Sequence, residues 1–165
     1  MQVAIMVAVL VGGAPTWKPF APPSAGFEVQ LPGTPTEKRQ TVRTPLGNGE
    51  LRIFTISHKG GTFAIGVTEF PESALTNTKD DQRLDQARDG AVQHAKGKIR
   101  WEKKVLVDKV PGRELLIGAE GASKATLLVL AAERNRLYQL LAIGDTAFLE
   151  GPETARFLDS FRRKK

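Results

Sequence analysis

The sequence predicts an α+β protein in which one mostly antiparallel sheet of about six to seven strands carries one long helix and one C-terminal helix. Three observations predict this fold class. Short segments with alternating apolar and polar residues recur along the chain, separated by Gly, Pro or Asn turn signals. One long helical pattern, at residues 78–96, interrupts them. Most of the segments follow one another through short turns, as hairpins of an antiparallel sheet do.

Residues 1–14 are predicted to be a signal peptide. The run MQVAIMVAVLV is followed by Gly12, Gly13 and Ala14, the small residues typical of a cleavage zone. The run has about 12 apolar residues, whereas a transmembrane helix needs about 20. No Lys or Arg precedes it, and cleavage after Gly13 or near Ala25 both stay open. We therefore expect an exported protein, periplasmic or extracellular, with no transmembrane span in the mature chain; a buried N-terminal strand is the alternative.

Residues 15–25 are predicted to be a proline-rich linker, and residues 26–165 a single α+β domain. The stretch 15–23 contains four prolines. Because proline fixes φ and removes a backbone donor, this stretch is extended and unsuited to a central strand. We expect Trp17 and Phe20 to pack back on the domain or to mark its start.

The first part of the domain has the pattern of four strands. Residues 27–31 alternate strictly between apolar and polar, whereas residues 38–44 are polar and suit a sheet edge. Asn-Gly within residues 46–49 predicts a hairpin turn into a strand at 51–57. Gly60-Gly61 predicts the next turn, and a strand opening at Thr62 follows it.

The long helix is predicted from Thr78 to Lys96. Thr78 suits the N-cap, and the acidic residues after it suit the positive end of the helix dipole. Gly97 is predicted to end the helix. Its apolar stripe consists of small residues beside one leucine, which implies close packing of helix on sheet. The stripe comprises Leu84, Ala87, Ala91 and Ala95.

The last part of the domain has the pattern of four strands and a terminal helix. Pro111-Gly112 and residues 134–136 are its turn signals. The run ATLLVLAA has no polar face, which predicts a central strand covered on both sides. Pro152 suits the first turn of the last helix. The predicted elements are strands at 101–109, 113–118, 125–132 and 137–143 and a helix at about 152–162.

Four short motifs, in this order, carry a family resemblance from residue 26 to the C-terminus. They are FEVQLPGTP at 27–35, PGRE at 111–114, RLYQL at 136–140 and FLDSF at 157–161. With them the chain resembles exported bacterial domains of the PsbP-like α/β/α sandwich family. The resemblance implies a central antiparallel sheet flanked by helices, and binding or accessory roles rather than a shared catalytic centre. It carries no functional residue onto this sequence, because members of the family differ in what they bind.

No catalytic or metal-binding motif is found in the sequence. It has no Cys, and neither His58 nor His94 has a second ligand at metal spacing, so each is interpreted as a structural histidine. Phosphate-loop and nucleophile-elbow patterns are missing as well. Asp81, Asp85 and Asp89 share one helix face, which we interpret as a solvated face paired partly with arginines rather than a cation site. Those arginines are Arg83 and Arg88. We therefore predict no enzymatic activity, no cofactor and no metal.

The formal net charge of +6 favours anionic surfaces as partners, although acidic and basic residues are interspersed. The most suggestive basic run, at residues 96–104, surrounds Trp101, and the C-terminal RRKK adds to the charge. This run is a candidate anionic-partner surface; the alternative, which residue statistics favour, is a solvated run with Trp101 in the core. The residues of this candidate surface are Lys96, Lys98, Arg100, Lys103 and Lys104.

Three hypotheses for the function follow. The leading one is a non-enzymatic exported binding or accessory protein of the cell envelope, whose partner is an unidentified envelope protein or small ligand. The second is a polyanion or membrane-surface binder that uses the basic run, with nucleic acid not favoured. The third is a hydrolase with an unrecognised site. A pocket between the small-residue face of the long helix and the sheet is compatible with the sequence, although no spacing requires it.

Overall fold

The computed structural model describes residues 15–45, 47–75 and 78–165. The predicted signal peptide lies outside the described residues, so that prediction stays a prediction. A single-turn 3₁₀ helix, Glu72–Leu75, precedes the long helix. The helices are α1 (Asp80–Ala95), α2 (Thr146–Leu149) and α3 (Pro152–Asp159). The strands are β1 (Lys18–Phe20), β2 (Phe27–Leu31), β3 (Thr36–Thr44), β4 (Gly47–His58), β5 (Gly61–Glu69), β6 (Lys98–Val107), β7 (Val110–Gly118), β8 (Ala125–Glu133), β9 (Arg136–Gly144) and β10 (Arg162–Arg163).

Seven strands form one sheet in the order β3-β4-β5-β9-β8-β7-β6, and every neighbouring pair is antiparallel. This confirms the predicted fold class. The apolar run at 125–132 lies in β8, which is bonded to a strand on each side and is buried for most of its length, as expected for a central strand. The predicted polar edge strand is β3, at one end of the sheet.

The sheet separates two buried clusters, because successive side chains of a strand point to opposite faces. On one face α1 packs against leucines and isoleucines of β7, β8 and β9, and Leu84 is fully buried in this cluster. On the other face lies a cluster rich in aromatic rings, where Phe63 and Phe157 have centroids 4.7 Å apart. The small sheet β1-β2-β10 and α3 close this second cluster, so the molecule has three layers.

The long helix is confirmed, with different ends. Lys79, not Thr78, is its N-cap, and the Lys79 backbone N–H donates to the Gln82 side-chain oxygen at 3.2 Å. Lys96 adopts the left-handed conformation (φ 49°), and Gly97 N–H donates to the Val92 carbonyl at 3.3 Å. The last helical residue is therefore Ala95 and the C-cap is Lys96, one residue before the glycine that was expected to end the helix.

Two predicted turns are wrong. Pro111 and Gly112 lie inside β7, and the hairpin turn is Asp108-Lys109, with φ values of 45° and 73°. Two adjacent positive φ values give a turn whose twist matches that of the flanking strands, and here Asp and Lys adopt them in place of the Asn-Gly pair that such turns favour. Gly112 has another reason: a Cβ at that position would collide with the Leu130 carbonyl oxygen of the neighbouring strand.

The predicted Asn-Gly turn is also displaced. Asn48 and Gly49 lie inside β4, and Thr44 pairs with Gly47, which leaves only positions 45 and 46 between the strands. The Thr44 hydroxyl donates to the Gly47 carbonyl at 2.9 Å. This register places Leu51 on the α1 face of the sheet. Burial of an apolar face therefore outweighs the local turn preference of Asn-Gly.

The C-terminal segment is part helix and part strand. α3 ends at Asp159, and Arg162 and Arg163 pair with Glu28 and Phe27 of β2 as strand β10. The last helix was predicted to reach about residue 162, but Arg163 follows it in an extended strand and forms ion pairs with the side chains of two acidic residues. These partners are Asp108 and Glu133.

Candidate functional site

The long helix covers only part of its sheet face. α1 packs mainly over β7 and β8, with Leu84 as its deepest apolar side chain. The same face of β4, β5 and β9 continues beyond the helix. A cleft of about 880 Å³ lies between this uncovered floor and the side of α1. We call it the α1 cleft.

The floor of the α1 cleft is mostly apolar. Its residues alternate along each strand with residues of the aromatic cluster on the opposite face, so the period of two that forms the sheet also builds the floor. The polar groups of the floor are uncharged: the buried Thr68 hydroxyl and the Gln139 amide. The apolar and small floor residues are Leu51, Ile53, Ala64, Gly66, Leu141 and Ile143.

Two glycines on opposite walls widen the cleft. Gly66 lies in the middle of β5, and Gly90 lies in the third turn of α1. Neither has a positive φ. A Cβ at Gly90 would meet nothing within 4 Å, and a Cβ at Gly66 would make ordinary contacts at 3.6 Å with Gln139 and Leu51. Glycine inside a helix or strand costs about 0.5–1 kcal/mol relative to alanine. Neither backbone geometry nor a clash within the protein therefore explains these glycines, and larger side chains at both positions would take up cleft volume.

The α1 wall brings one donor and one acceptor that no protein group meets. Arg83 is 4% exposed, and its terminal nitrogens donate to the Arg134 carbonyl and to the Asp80 carboxylate. Its Nε and the buried Gln86 side-chain oxygen have no hydrogen-bond partner among the described residues. Leaving a buried polar atom unpaired costs about 1–3 kcal/mol. Both residues line the cleft, and each side chain has to turn before a ligand there can pair with its buried atom.

The two histidines lie on opposite faces of the sheet. His94 is exposed on α1 at the rim of the cleft. His58 is buried against the Trp17 and Phe63 rings, with Nε2 2.9 Å from a Glu153 carboxylate oxygen. The pKa of Glu153 is lowered, first by the hydrogen bond from Lys59 and then by that from His58. The histidines therefore form no pair, and His58 ties β4 to α3.

The acidic face of α1 is tied down by an arginine that the sequence analysis missed. Arg113 of β7 is 5% exposed and lies 3.0 Å from Asp81 and 3.3 Å from Asp85. The hydrogen bond that Arg113 donates to Asp81 is the largest cause of the lowered pKa of Asp81, followed by the charge of Lys104. The two predicted arginines take the other contacts: Arg83 pairs with Asp80, and Arg88 with Asp85 and Asp89. The sequence signal for this contact was Arg113 itself, a charged residue within a mostly apolar strand, which needs a carboxylate partner when it is buried.

The candidate anionic-partner surface is divided by the fold. Lys96 caps α1, while the other four basic residues belong to β6, an edge strand. A bulge between Ile99 and Trp101 shifts the register. Lys103 then shares a face with Trp101, at 5.6 Å from its ring, and pairs with Glu114 at 2.9 Å. Lys104 points to the α1 side, 3.6 Å from Asp81. Trp101 is 41% exposed and does not belong to either buried cluster.

Comparison with known proteins identifies the fold. No family profile and no curated protein matches this sequence. Among solved structures, the chain is similar to cyanobacterial PsbP (CyanoP) from Synechocystis sp. PCC 6803, with a TM-score of 0.60 and 11% identity, over 93% of this chain and 95% of that one. It also matches a Pseudomonas aeruginosa protein of unknown function described as a putative regulator, with a TM-score of 0.45 and 13% identity, over 84% and 90%. The fold is PsbP-like, as the resemblance implied.

None of the helices within the described residues is long and apolar enough to cross a membrane.

Proposed function

We propose that this PsbP-like chain is an exported, non-catalytic binding protein that holds a mostly apolar small molecule in the α1 cleft. The observation that carries the proposal is the uncovered apolar floor beside α1. A sheet face of this kind is normally buried by its helix layer. The volume of the α1 cleft, about 880 Å³, lies within the usual range of small-molecule sites, about 300–1,000 Å³.

The α1 wall around Arg83 favours an uncharged end of the ligand, whereas Arg43 on the β3 side of the lining adds a positive charge. The guanidinium of Arg83 is balanced by Asp80, so no unpaired positive charge is added at this point of the cleft. Once the two side chains turn, Arg83 Nε offers one donor and the Gln86 side-chain oxygen one acceptor. A ligand with a single N–H or O–H and one acceptor near one end, and an apolar body along the floor, satisfies both atoms. This is the small-ligand form of the binding role expected from the sequence.

The test uses N-phenyl-1-naphthylamine, a neutral apolar fluorophore with one N–H group, whose emission rises in an apolar site. We expect saturable binding with one molecule per chain. Gly90→Phe and Gly66→Leu fill the cleft from opposite walls and are expected to weaken binding at least tenfold, about 1.4 kcal/mol. Gly90→Ala and Gly66→Ala are the matched controls, because they add the helix or strand preference of a side chain without filling the cleft.

Two outcomes contradict the ligand site. One is no saturable binding by the folded wild-type protein; the other is equal binding by the filled variants and their alanine controls. Circular dichroism of each variant shows that the fold is kept.

Export is tested separately by fractionation and mass measurement of the chain produced from its full gene. A periplasmic chain that is cut after Gly13 or near Ala25 supports export, and a full-length chain confined to the cytoplasm contradicts it.

A further inference from the structure

Exposed apolar side chains are concentrated on one strand. Within residues 15–45, 47–75 and 78–165, the large hydrophobic residues that are exposed are Ile99 (38%), Trp101 (41%) and Leu106 (76%). All three belong to β6. The opposite edge strand, β3, has only one apolar residue, Val42, and it is half-buried. The two edges of the same sheet are therefore different surfaces.

β6 has a free backbone edge. It pairs with β7 on one side, and the sheet ends on the other. The bulge after Ile99 interrupts the edge only near its start, so residues 101–107 pair regularly with β7. Seven regular residues exceed the common strand length of about five to six. An exposed edge with apolar side chains is a template for another strand, and lysines alone, the usual protection of an edge, do not hide Trp101 or Leu106.

The charge of this edge selects the partner. Lys103 and Lys104 have ion-pair partners in the fold, but both side chains are largely exposed and keep donors for a second partner. Glu102 is the only acidic residue of β6. Its carboxylate is directed inward, where it meets Arg88 and Arg113 at 3.4 Å each. The side that a partner meets is therefore basic.

A second copy of this chain does not suit the edge. In the antiparallel register that pairs all of residues 101–107, Lys104 lies opposite Lys104 of the second copy, and like charges across strands destabilise a pair. The β3 edge has Lys38, Arg39 and Arg43 against the single acidic residue Glu37, so it is basic as well. A partner strand with carboxylates opposite the lysines and an apolar residue opposite Trp101 is complementary in both charge and hydrophobicity.

We propose that residues 101–107 of β6 bind an extended acidic segment of a partner protein as an added, eighth strand of the sheet. Backbone hydrogen bonds supply affinity in such strand addition, and alternate side chains supply specificity. Trp101 contacts an apolar residue of the segment. Lys103 and Lys104 bind carboxylates on the two faces of the strand. The surface is separate from the α1 cleft, so the failure of one proposal leaves the other standing.

The probe is an acetylated and amidated peptide of seven residues with two adjacent Glu residues, whose carboxylates lie on opposite faces of an extended strand, and Val at the other positions. Two further copies are N-methylated at alternate positions, one along each edge. Binding to the full mature chain is followed by NMR shifts and amide-exchange protection. We expect shifts confined to β6 and its neighbour β7, with slowed exchange of the outward β6 amides. Two N-methylated copies, one for each edge of the peptide, are compared; at least one binds about tenfold more weakly or worse, because methylation removes its pairing donors.

Variants identify the surface. Trp101→Ala and the pair Lys103→Glu with Lys104→Glu are each expected to weaken binding about tenfold. The matched control is Lys38→Glu with Arg39→Glu on the β3 edge, which is expected to bind like the wild type. Binding by the wild type also weakens with added salt. Circular dichroism and cleft binding of the naphthylamine probe report whether each variant is folded.

Three results overturn the proposal. In the first, both N-methylated copies bind as well as the parent peptide, so that charge alone is responsible. In the second, the control pair on β3 weakens binding as much as the pair on β6. In the third, the chain binds vesicles containing phosphatidylglycerol but not the peptide, which assigns the basic surface to membranes.

Discussion

Replacing Leu84 by alanine removes the deepest apolar contact between α1 and the sheet. Leu84 is fully buried, whereas the other apolar residues of α1 that pack on this cluster are alanines and one half-buried valine. The helix is therefore attached to the sheet by one large apolar side chain and by polar contacts. These contacts are the ion pairs of Arg113 with α1, that of Arg88 with Glu102, and the hydrogen bond from Arg83 to the Arg134 carbonyl. Removal of this leucine tests whether α1 is held mainly by apolar packing or by its charges.

The expected loss follows from the burial. Truncation removes roughly three carbon groups at about 0.8 kcal/mol each, which is about 2.4 kcal/mol of transfer free energy. A partly collapsed cavity adds about 1 kcal/mol, so that Leu84→Ala lowers the free energy of unfolding by about 3–4 kcal/mol. Leu106→Ala makes the same chemical change at a site that is 76% exposed, and we expect a change within about 0.5 kcal/mol.

The assay is urea unfolding followed by circular dichroism, with amide exchange of α1 as a local measure. We expect faster exchange in α1 than in β8 for Leu84→Ala, because the helix loses its anchor while the central strand keeps its neighbours. A loss below about 1 kcal/mol, or a loss equal to that of Leu106→Ala, refutes the reasoning. The polar contacts of α1 would then be the main attachment of the helix.

Two further predictions concern ion pairs. Arg113→Met is expected to lower the free energy of unfolding by about 2–3 kcal/mol at low salt, because three carboxylates lose their shared cation. This loss shrinks as salt is added. Arg39→Met, at an exposed ion pair, is the control, and an equal loss there contradicts the argument. Glu153 has a lowered pKa in the fold, so its stabilisation is present above its ordinary pKa of about 4.5 and is lost as pH falls through the folded-state value. Glu153→Gln is therefore expected to lower the free energy of unfolding by about 1 kcal/mol at neutral pH and to equal the wild type in strong acid. The measurement is the melting temperature of both proteins as a function of pH. A difference that is constant with pH, or the same loss for Glu150→Gln, excludes this linkage.

The strands were predictable because their signal is local. In β2 the apolar residues repeat with the period of the pleat, and β8 is a continuous apolar run, so neither pattern depends on the neighbouring strands. Turns depended on more than the local dipeptide. Asn48-Gly49 and Pro111-Gly112 have typical turn composition, yet both lie within strands. The register that buries the sheet faces moved each turn to another position.

The candidate sites were only partly predictable. The basic residues of β6 were found from their sequence, but neither the free edge nor the exposure of Trp101 follows from a run of charges. Arg113 was missed because its carboxylate partners belong to α1, far away in the chain. Gly66 and Gly90 read as ordinary weak positions of a strand and a helix until the fold places them on opposite walls of one cleft.

The sequence by itself determined the long strands, α1 and α3, and the faces that they bury, since periods of 2 and 3.6 residues are properties of single strands and helices. The short elements β1, β10 and α2 were not predicted. Only the tertiary structure decided where α1 lies across the sheet. That placement depends on Leu84 packing with residues of β7, β8 and β9, which come from distant parts of the chain. Because α1 lies over β7 and β8, the floor of β4, β5 and β9 stays open, and the cleft that carries the proposed function exists.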